Sequence, residues 1–139
     1  VTGCALELAD ASPYFDLPLV EAGAMLHDIG RGSTHAIGHA QAGAALCRSL
    51  GFPEPVARIV ECHTGAGLTA DECSLLRLLP RDCVPVTAEE RLVAHADNLI
   101  KGKRRVTIHD TFAYATHLPR KIRRRIYRLA LDVEILCDS

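Results

Sequence analysis

Residues 17–30 read LPLVEAGAMLHDIG, an apolar stretch that ends in a charged pair. Pro18 stands in the first predicted helical turn, where the missing backbone N–H of proline costs nothing. The apolar side chains leave little polar surface around this helix, which is typical of a helix buried on all sides. Gly30 stands where a residue in the left-handed conformation would end the helix. We therefore predict a central, buried helix over this stretch.

The charged pair at the end of this stretch, His27 and Asp28, requires an explanation. Burying an unpaired carboxylate is costly, so buried charges are paired or bind a metal ion. Adjacent side chains on a helix do not face each other, but the backbone can turn at a helix end, and Gly30 would help both to converge on one ion. A solvated helix end with an incidental histidine is the other interpretation, and the pair alone leaves both open.

The rest of the chain also reads as helices separated by glycine and proline. ALELADA (5–11) has the pattern of a helix end, and further helices are predicted at residues 39–50, 55–63, 71–79, 87–100, 107–117 and 119–136. Thr87 and Glu90 have the spacing of a capping box. The last helix repeats apolar residues at intervals of three and four, which indicates one buried face; they are Ile122, Ile126, Leu129, Val133 and Leu136. Strand-like alternation is absent from the sequence, so we predict an all-α bundle of about six to seven helices.

The composition is that of one globular domain. The chain has 139 residues, 48% of them hydrophobic and 24% charged, which fits a single domain over residues 1–139 with its own core. No apolar run reaches the length of a membrane span, and the first residues lack the pattern of a signal peptide. The six cysteines form no CxxC pair and lie mostly in apolar surroundings, which indicates reduced thiols. We therefore expect a cytoplasmic protein with no membrane partner.

The net charge of −1 hides a division of charge along the chain. Residues 1–100 contain 6 Lys and Arg against 13 Asp and Glu, a net charge of −7, whereas residues 101–139 contain 10 against 4, a net charge of +6. The cations cluster in KGKRR (101–105) and RKIRRR (120–125). Clustered cations favour a phosphate-rich partner such as RNA, but the scarcity of aromatic residues argues against stacking of single strands. The favoured interpretation is a solvated helix face, so a nucleic-acid partner is not favoured.

Four segments in a fixed order carry a resemblance to a known family. They are AGAMLHDIGR (22–31), THAIGHAQAGAAL (34–46), ARIVECHTGAG (57–67) and VAHADNLI (93–100). An isolated His-Asp pair is a weak motif, whereas the ordered set of this pair, two later histidines and a distant aspartate is specific. Over most of its length the chain resembles the HD superfamily of metal-dependent phosphohydrolases, in the HDIG-type form found in a group of small, mainly archaeal HD-domain proteins.

The resemblance implies a helical HD-domain bundle with a metal site, and it places each ligand in this sequence. It implies that the His-Asp pair and the distant aspartate hold one metal ion and that the two later histidines are ligands in members that hold two. The implied metal ligands are His27, Asp28, Asp97, His39 and His63. Asp28, which would bridge two ions, is also the implied catalytic residue.

Two positions depart from the family pattern. Cys62 stands where two-metal members have a further histidine, which leaves a complete two-metal site open. Members of the superfamily also take a first histidine ligand from the helix before the His-Asp pair, and no histidine precedes His27 here. The chain opens at Val1 within a predicted helix, so we expect that histidine a few residues upstream of Val1.

The ligand types indicate the chemistry. Imidazole together with carboxylate suits Mn, Fe, Co, Ni or Zn better than Mg, and one or two such divalent ions would activate water for attack on phosphorus. Arg31 and Lys101 are candidate substrate-binding cations for phosphate oxygens, with a solvated surface charge as the alternative for each. The remaining histidines are predicted to be core or surface residues without a ligand role; they are His35, His95, His109 and His117.

Three functions remain compatible with the sequence. The first is hydrolysis of phosphate esters, with nucleotides or related phosphorylated small molecules as substrates. The second is an HD-type di-iron oxygenase, which needs a complete ligand set, and Cys62 argues against it. The third is a non-catalytic nucleic-acid or regulatory module that uses the basic C-terminal part. HTGAGLT (63–69) lacks the GYP motif of cyclic-dinucleotide phosphodiesterases, and the apolar helix faces are compatible with a homodimer.

Overall fold

The computed structural model describes residues 1–34 and 36–138, which form eight α-helices, one 3-10 turn and a short β-hairpin. In chain order the elements are α1 (Thr2–Asp10), α2 (Leu17–Leu26), the 3-10 turn (Ile29–Gly32), α3 (His39–Ser49), α4 (Glu54–Glu61), α5 (Ala70–Leu75), α6 (Ala88–Asn98), β1 (Ile100–Lys101), β2 (Arg104–Arg105), α7 (Ile108–Tyr114) and α8 (Arg120–Cys137). The predicted all-α fold is confirmed. The eight helices of the described residues exceed the expected total of about six to seven, and the two strands pair antiparallel over two residues each.

Helix α2 is central, as the sequence predicts, but the prediction that it is buried on all sides is wrong: Val20, Gly23 and Ala24 are buried, whereas Leu17 and Met25 are 40% and 68% exposed. Helices α1, α4 and α6 pack around it, and α8 packs against α6. The main cluster of buried apolar side chains joins these helices and includes Val20, Leu92 and Val133. Because α2 and α6 share this core, the end of α2 and the last turn of α6 come close together. These are the two places where the sequence predicts metal ligands.

The apolar periodicity of the last helix correctly predicts which face of α8 is buried. Ile126, Leu129 and Val133 are buried, and Ile122 and Leu136 pack against the same core at its margin. Arg120, Arg124 and Arg128 of α8 are exposed, whereas Arg123 and Arg125 are partly buried. The six cysteines are all free thiols, five of them buried, in agreement with the prediction of reduced cysteines.

Within the described part of the chain, no helix combines the length and the apolar character that crossing a membrane requires.

Two local predictions need correction. The helix predicted over residues 17–30 ends at Leu26, because the backbone departs from helical geometry at Asp28 (φ −100°, ψ 13°) and continues as the 3-10 turn. Thr87 caps α6 by accepting from the amide of Glu90 at 3.1 Å, but the Glu90 carboxylate accepts from the amide of Val86 instead of completing the capping box.

A glycine is needed at position 30 because a side chain would not fit there, and not because the backbone adopts a left-handed conformation. Its φ is not among the positive values found in the described residues. A Cβ at Gly30 would collide with the carbonyl oxygen of His39 and would lie 2.6 Å from the backbone nitrogen of Gly43. Both obstacles are backbone atoms, which cannot move away by rotating a side chain. The two glycines therefore let α3 cross directly over the 3-10 turn, and this crossing brings His39 next to Asp28.

Glu61 is a buried carboxylate that ties α4 to its neighbours. Its side chain is 1% exposed and accepts hydrogen bonds from Arg48 at 3.0 Å, Arg58 at 2.9 Å and Arg81 at 3.3 Å. Burial disfavours the ionised carboxyl, but the guanidinium groups of Arg48 and Arg81 outweigh it and hold the pKa of Glu61 below its ordinary value. Since His63 follows two residues later, this network fixes the end of α4 that presents His63.

Replacing Gly30 with alanine is expected to destabilise the protein by about 3 kcal/mol, because the added methyl group overlaps backbone atoms of α3. Urea unfolding followed by circular dichroism measures the change in free energy. Gly32 provides the matched control, because nothing lies within 4 Å of a Cβ added there. Gly32→Ala is expected to change stability by less than about 0.5 kcal/mol. Equal effects of the two substitutions would contradict the close-crossing explanation.

Replacing Glu61 with glutamine is expected to cost about 3 kcal/mol at pH 7, because three guanidinium groups lose their shared buried anion. Glu54→Gln is the control: Glu54 also pairs with Arg48, but its side chain is 59% exposed, so the expected loss is below about 1 kcal/mol.

The effect of Glu61→Gln is also expected to depend on pH. Since folding lowers the pKa of Glu61 below the ordinary 4.5, the ionised carboxyl contributes its full stability above pH 4.5, and this contribution is lost as the pH falls through the lower, folded pKa. Unfolding free energies of the native and variant proteins should therefore converge in acid. A difference that stays constant from pH 7 to acid would contradict this linkage.

Candidate metal centre

Four helices and the 3-10 turn bring the predicted ligands to one place. His27 follows α2, Asp28 precedes the 3-10 turn, His39 begins α3, His63 follows α4, and Asp97 lies in the last turn of α6. The three histidines are nearly inaccessible, with exposed fractions of 8%, 5% and 1% in chain order. The two carboxylates are more open, at 41% and 30% of their side chains. The centre is therefore a buried imidazole cluster that opens to solvent on its carboxylate side.

Each of the three imidazole rings is anchored through Nδ1 in the same way. Nδ1 of His27, His39 and His63 lies 2.6, 3.0 and 2.7 Å, respectively, from the backbone carbonyl oxygen three residues earlier. A carbonyl oxygen only accepts hydrogen bonds, so Nδ1 carries the proton and Nε2 of the neutral ring presents a lone pair. Metal-binding histidines in proteins are oriented by this kind of contact.

The three Nε2 atoms converge on the carboxylate of Asp28. Nε2 of His39 and of His63 lie 3.3 and 3.4 Å from Oδ1, and Nε2 of His27 lies 3.2 Å from Oδ2. The Nε2 atoms of His39 and His63 are 3.1 Å apart. One potential ligand atom from each of His27, Asp28 and His63 falls within 4.8 Å of the other two. The spacing is that of side chains that can share one ion.

In this arrangement the imidazole Nε2 atoms and the carboxylate oxygens, which are all hydrogen-bond acceptors, face one another. Among the described residues, Nε2 of His27 and Oδ1 of Asp28 are buried and make no well-aligned hydrogen bond, although Nε of Arg31 lies 3.0 Å from this oxygen. Lone pairs of neutral imidazoles and a carboxylate repel each other unless a cation lies between them. Burial lowers the pKa of His39, so a proton is disfavoured there. The residues therefore fit a divalent metal ion with mixed imidazole and carboxylate ligands.

Asp97 joins the same centre from the opposite side of the core. Its Oδ1 lies 3.5 Å from Nε2 of His27. The next residue, Asn98, donates from its side chain to the carbonyl oxygen of Gly65 at 2.9 Å, which ties α6 to the loop after His63. The sequence analysis did not single out Asn98. Its position beside a predicted ligand, in the last turn of α6, was the available signal.

The electrostatics of the centre keep Asp28 ionised. The proximity of His63, together with Arg31 and His27, holds the pKa of the Asp28 carboxyl well below its ordinary value, although partial burial opposes this shift. Burial also opposes protonation of His27, but contacts with Asp97, the backbone and Asp28 outweigh it and raise the pKa of His27. The centre thus offers two carboxylates that attract positive charge.

The two predicted substrate-binding cations lie on the open side of the centre. Nε of Arg31 is 3.0 Å from Oδ1 of Asp28, and the Arg31 side chain is 45% exposed. Lys101 shares a cavity of about 190 Å³ with Asp97, and its Nζ lies 3.4 Å from the centre of the Tyr114 ring. Tyr114, which the sequence analysis did not identify, thus holds Lys101 in place by a cation–π contact.

The other histidines and Cys62 do not join the converging ligands. His95 is 3% exposed, and burial lowers its pKa to about 4, which agrees with a core position. His109 and His117 are exposed, and the prediction for His35 lies outside the described residues. The thiol of Cys62 packs with Cys73 and Cys83, and burial raises the pKa of Cys62. In the described part of the chain, Cys62 is therefore a core residue and not part of the metal-binding group.

A broad apolar groove begins directly after His63. It has a volume of about 650 Å³ and is walled mainly by α5, α8 and the loop between α4 and α5. Thr64 lines the groove, and its hydroxyl is buried without a hydrogen-bond partner among the described residues. Volumes of several hundred Å³ are typical of sites for small organic molecules. No local pattern in the sequence indicates this groove, because its walls come from segments that are distant in the chain.

Comparisons with known proteins agree with the geometry. The model of the HD-domain family matches residues 1–102. An uncharacterised protein of Methanocaldococcus jannaschii is 50% identical over 106 residues, which cover 76% of this chain and 63% of that protein. A tRNA (cytidine(56)-2'-O)-methyltransferase of Picrophilus torridus is 48% identical over 104 residues, 75% of this chain and 30% of that enzyme.

A shorter similarity extends to a nuclease. Ribonuclease Y of Thermobifida fusca is 46% identical over 50 residues, 34% of this chain and 10% of the nuclease. The chain thus spans less than two thirds of the length of each of these relatives. No solved structure matches the chain significantly. The family match covers most of the chain and agrees with its helical architecture and its converging imidazole and carboxylate groups, so the chain belongs to the HD-domain family.

Proposed function

We propose that this protein hydrolyses phosphate esters with the help of a divalent transition metal, and that its substrates are nucleotides or related phosphorylated small molecules. The observation that supports this most directly is the convergence of three Nε2 lone pairs on the carboxylate of Asp28. Family membership supports metal-dependent hydrolysis in general. The substrate class is the further step of the proposal.

The proposed ligands of the metal are the five side chains of the centre: His27, Asp28, His39, His63 and Asp97. Mn, Fe, Co, Ni or Zn fits this mixture of nitrogen and oxygen better than Mg. The metal would supply Lewis acidity to the phosphoryl group and a water nucleophile at neutral pH. The chain itself orients the ligands, since each imidazole is fixed through its Nδ1 contact. Asp28 has the central role because all three rings face it.

Two cations and the groove provide complementary places for the substrate. Arg31, next to Asp28, and Lys101, beside Asp97, would hold the phosphate oxygens and offset the negative charge of the reacting phosphoryl group. The groove that begins at Thr64 is large enough for the organic part of a nucleotide. Two relatives act on RNA according to their names, the methyltransferase and the ribonuclease. Their names support a phosphate ester of nucleotide type over other phosphorylated compounds.

Isothermal titration of the metal-free protein with Mn²⁺, Co²⁺, Ni²⁺ and Zn²⁺ is expected to show binding of at least one ion. His63→Gln should weaken the affinity at least about tenfold, because an imidazole lone pair is lost from the centre. His109→Gln, which removes an exposed histidine away from the centre, should leave the affinity unchanged. Circular dichroism of both variants confirms folding. Native protein that binds none of the four ions would contradict the metal centre.

Product release from a panel of nucleotides is expected in the presence of the bound metal and should be abolished by chelation. Asp28→Asn should lower the rate by about 100-fold or more, because the central carboxylate of the centre becomes neutral. The panel includes mono- and diesters, with chromatography of the products, so that either cleavage is seen.

Asp10→Asn is the matched control for this activity, because Asp10 is an exposed carboxylate at the end of α1. It should retain the native rate. Metal-dependent release that survives in Asp28→Asn would contradict the proposed role of this carboxylate. Tight metal binding with no hydrolysis of any ester would contradict the proposed activity while leaving the metal centre in place.

A further inference from the structure

A second feature lies on the solvent side of α8, where its arginines meet the aromatic rings of α7 and α8. Phe112, Arg120, Arg123, Arg124 and Tyr127 line a cavity of about 360 Å³, here called the arginine–aromatic pocket. Neither the family match, which ends at residue 102, nor the proposed hydrolysis uses these residues.

The positive charge of the arginine–aromatic pocket is not balanced by the protein. Among the described residues, no carboxylate lies within ion-pair distance of Arg120, Arg123 or Arg124, whereas the neighbouring Arg125 and Arg128 have carboxylate partners at 2.8 and 3.6 Å. Nε of Arg123 is also buried without a hydrogen-bond partner. The pocket therefore has donors and charge left for an external anion.

The spacing of the three arginines brings their charges together. Positions 120, 123 and 124 are related by three and four residues, so the side chains lie on one face of α8. Like charges at this spacing destabilise a helix, and an anion between them removes the repulsion. Guanidinium groups present planar sets of donors that match phosphate oxygens. This arrangement favours a phosphate group as the anion.

Besides its arginines, the pocket has two aromatic rings, and a simple anion would leave these rings without a partner. The ring centres of Phe112 and Tyr127 are 5.5 Å apart, with an angle of 46° between the ring planes. Tyr127 is 51% exposed, so much of this aromatic residue stays accessible beside the cations. Bases of single strands stack on such rings, whereas a duplex hides the faces of its bases. The sequence contains few aromatic residues, but the fold places two of them at the cationic face.

We propose that the arginine–aromatic pocket binds single-stranded nucleic acid, with phosphates on Arg120, Arg123 and Arg124 and a base stacked on Tyr127. The site is separate from the proposed metal ligands. Binding is therefore expected with metal removed, and its failure would leave the proposed hydrolysis untouched.

Fluorescence anisotropy with labelled oligonucleotides of about 12 nucleotides tests the proposal, a length within the span of single-strand sites. Single-stranded RNA, single-stranded DNA and a duplex are compared in EDTA over a range of salt concentrations. Binding of a single strand is expected to be at least about fivefold tighter than binding of the duplex, because only a free base can stack. The RNA and DNA arms show which sugar is preferred.

Arg120→Gln/Arg124→Gln replaces two exposed arginines and is expected to weaken single-strand binding about tenfold and to reduce the salt slope by about 1.4, or about 0.7 for each lost phosphate contact. Tyr127→Ala should weaken binding about fivefold and leave the salt slope unchanged, since stacking releases no counterions. Thermal unfolding checks that both variants remain folded.

Lys103→Gln/Arg104→Gln is the control, because it removes the same charge from exposed residues of the β-hairpin outside the pocket. It should weaken binding less than about threefold. Three results would overturn the proposal: equal or tighter binding of the duplex, equal losses in the control and pocket variants, or no measurable binding of either single strand. Preferential binding to vesicles of anionic phospholipid over the oligonucleotides would also overturn it.

Discussion

The main constraint on this structure is the convergence of imidazole and carboxylate lone pairs in a buried part of the molecule. Three imidazole rings direct Nε2 toward one carboxylate, and each ring is held in that orientation by a backbone carbonyl on its other nitrogen. Such an arrangement is unfavourable without a cation. Packing of the core alone does not require three histidine rings to be oriented in this way. Repulsion between these lone pairs therefore lowers the stability of the fold locally, and a bound metal ion would offset this loss.

Several unrelated contacts hold this centre in place. The crossing of Gly30 and Gly43 sets the position of α3 and of His39, while the arginine network around Glu61 fixes the end of α4 before His63. The shared core of α2 and α6 brings Asp97 within 3.5 Å of His27. These supports use backbone contact, charge and apolar packing, respectively. The geometry of the centre is thus a property of the whole bundle.

The acidic and basic parts of the chain have different roles in the folded protein. The acidic part supplies the two carboxylates of the centre and the anion shared by three arginines, so part of its charge is used inside the fold. In the basic part, Arg105, Arg125 and Arg128 pair with carboxylates, whereas three arginines of α8 remain directed to an aromatic pocket. The hydrolytic proposal and the nucleic-acid proposal therefore rest on different residues.

The sequence by itself determined the helical class, the central position of α2 and the buried face of α8, because apolar periodicity is a local property of the chain. Its resemblance to a known family identified the residues that meet at the centre. The sequence did not determine the end of α2 at Leu26, the reason for a glycine at Gly30, or the role of Glu90, since each depends on atoms from another element. The groove beside His63 and the pairing of Phe112 with Tyr127 likewise came only from the tertiary structure. Their walls are assembled from distant segments, and no spacing within one segment records which distant side chains will become neighbours.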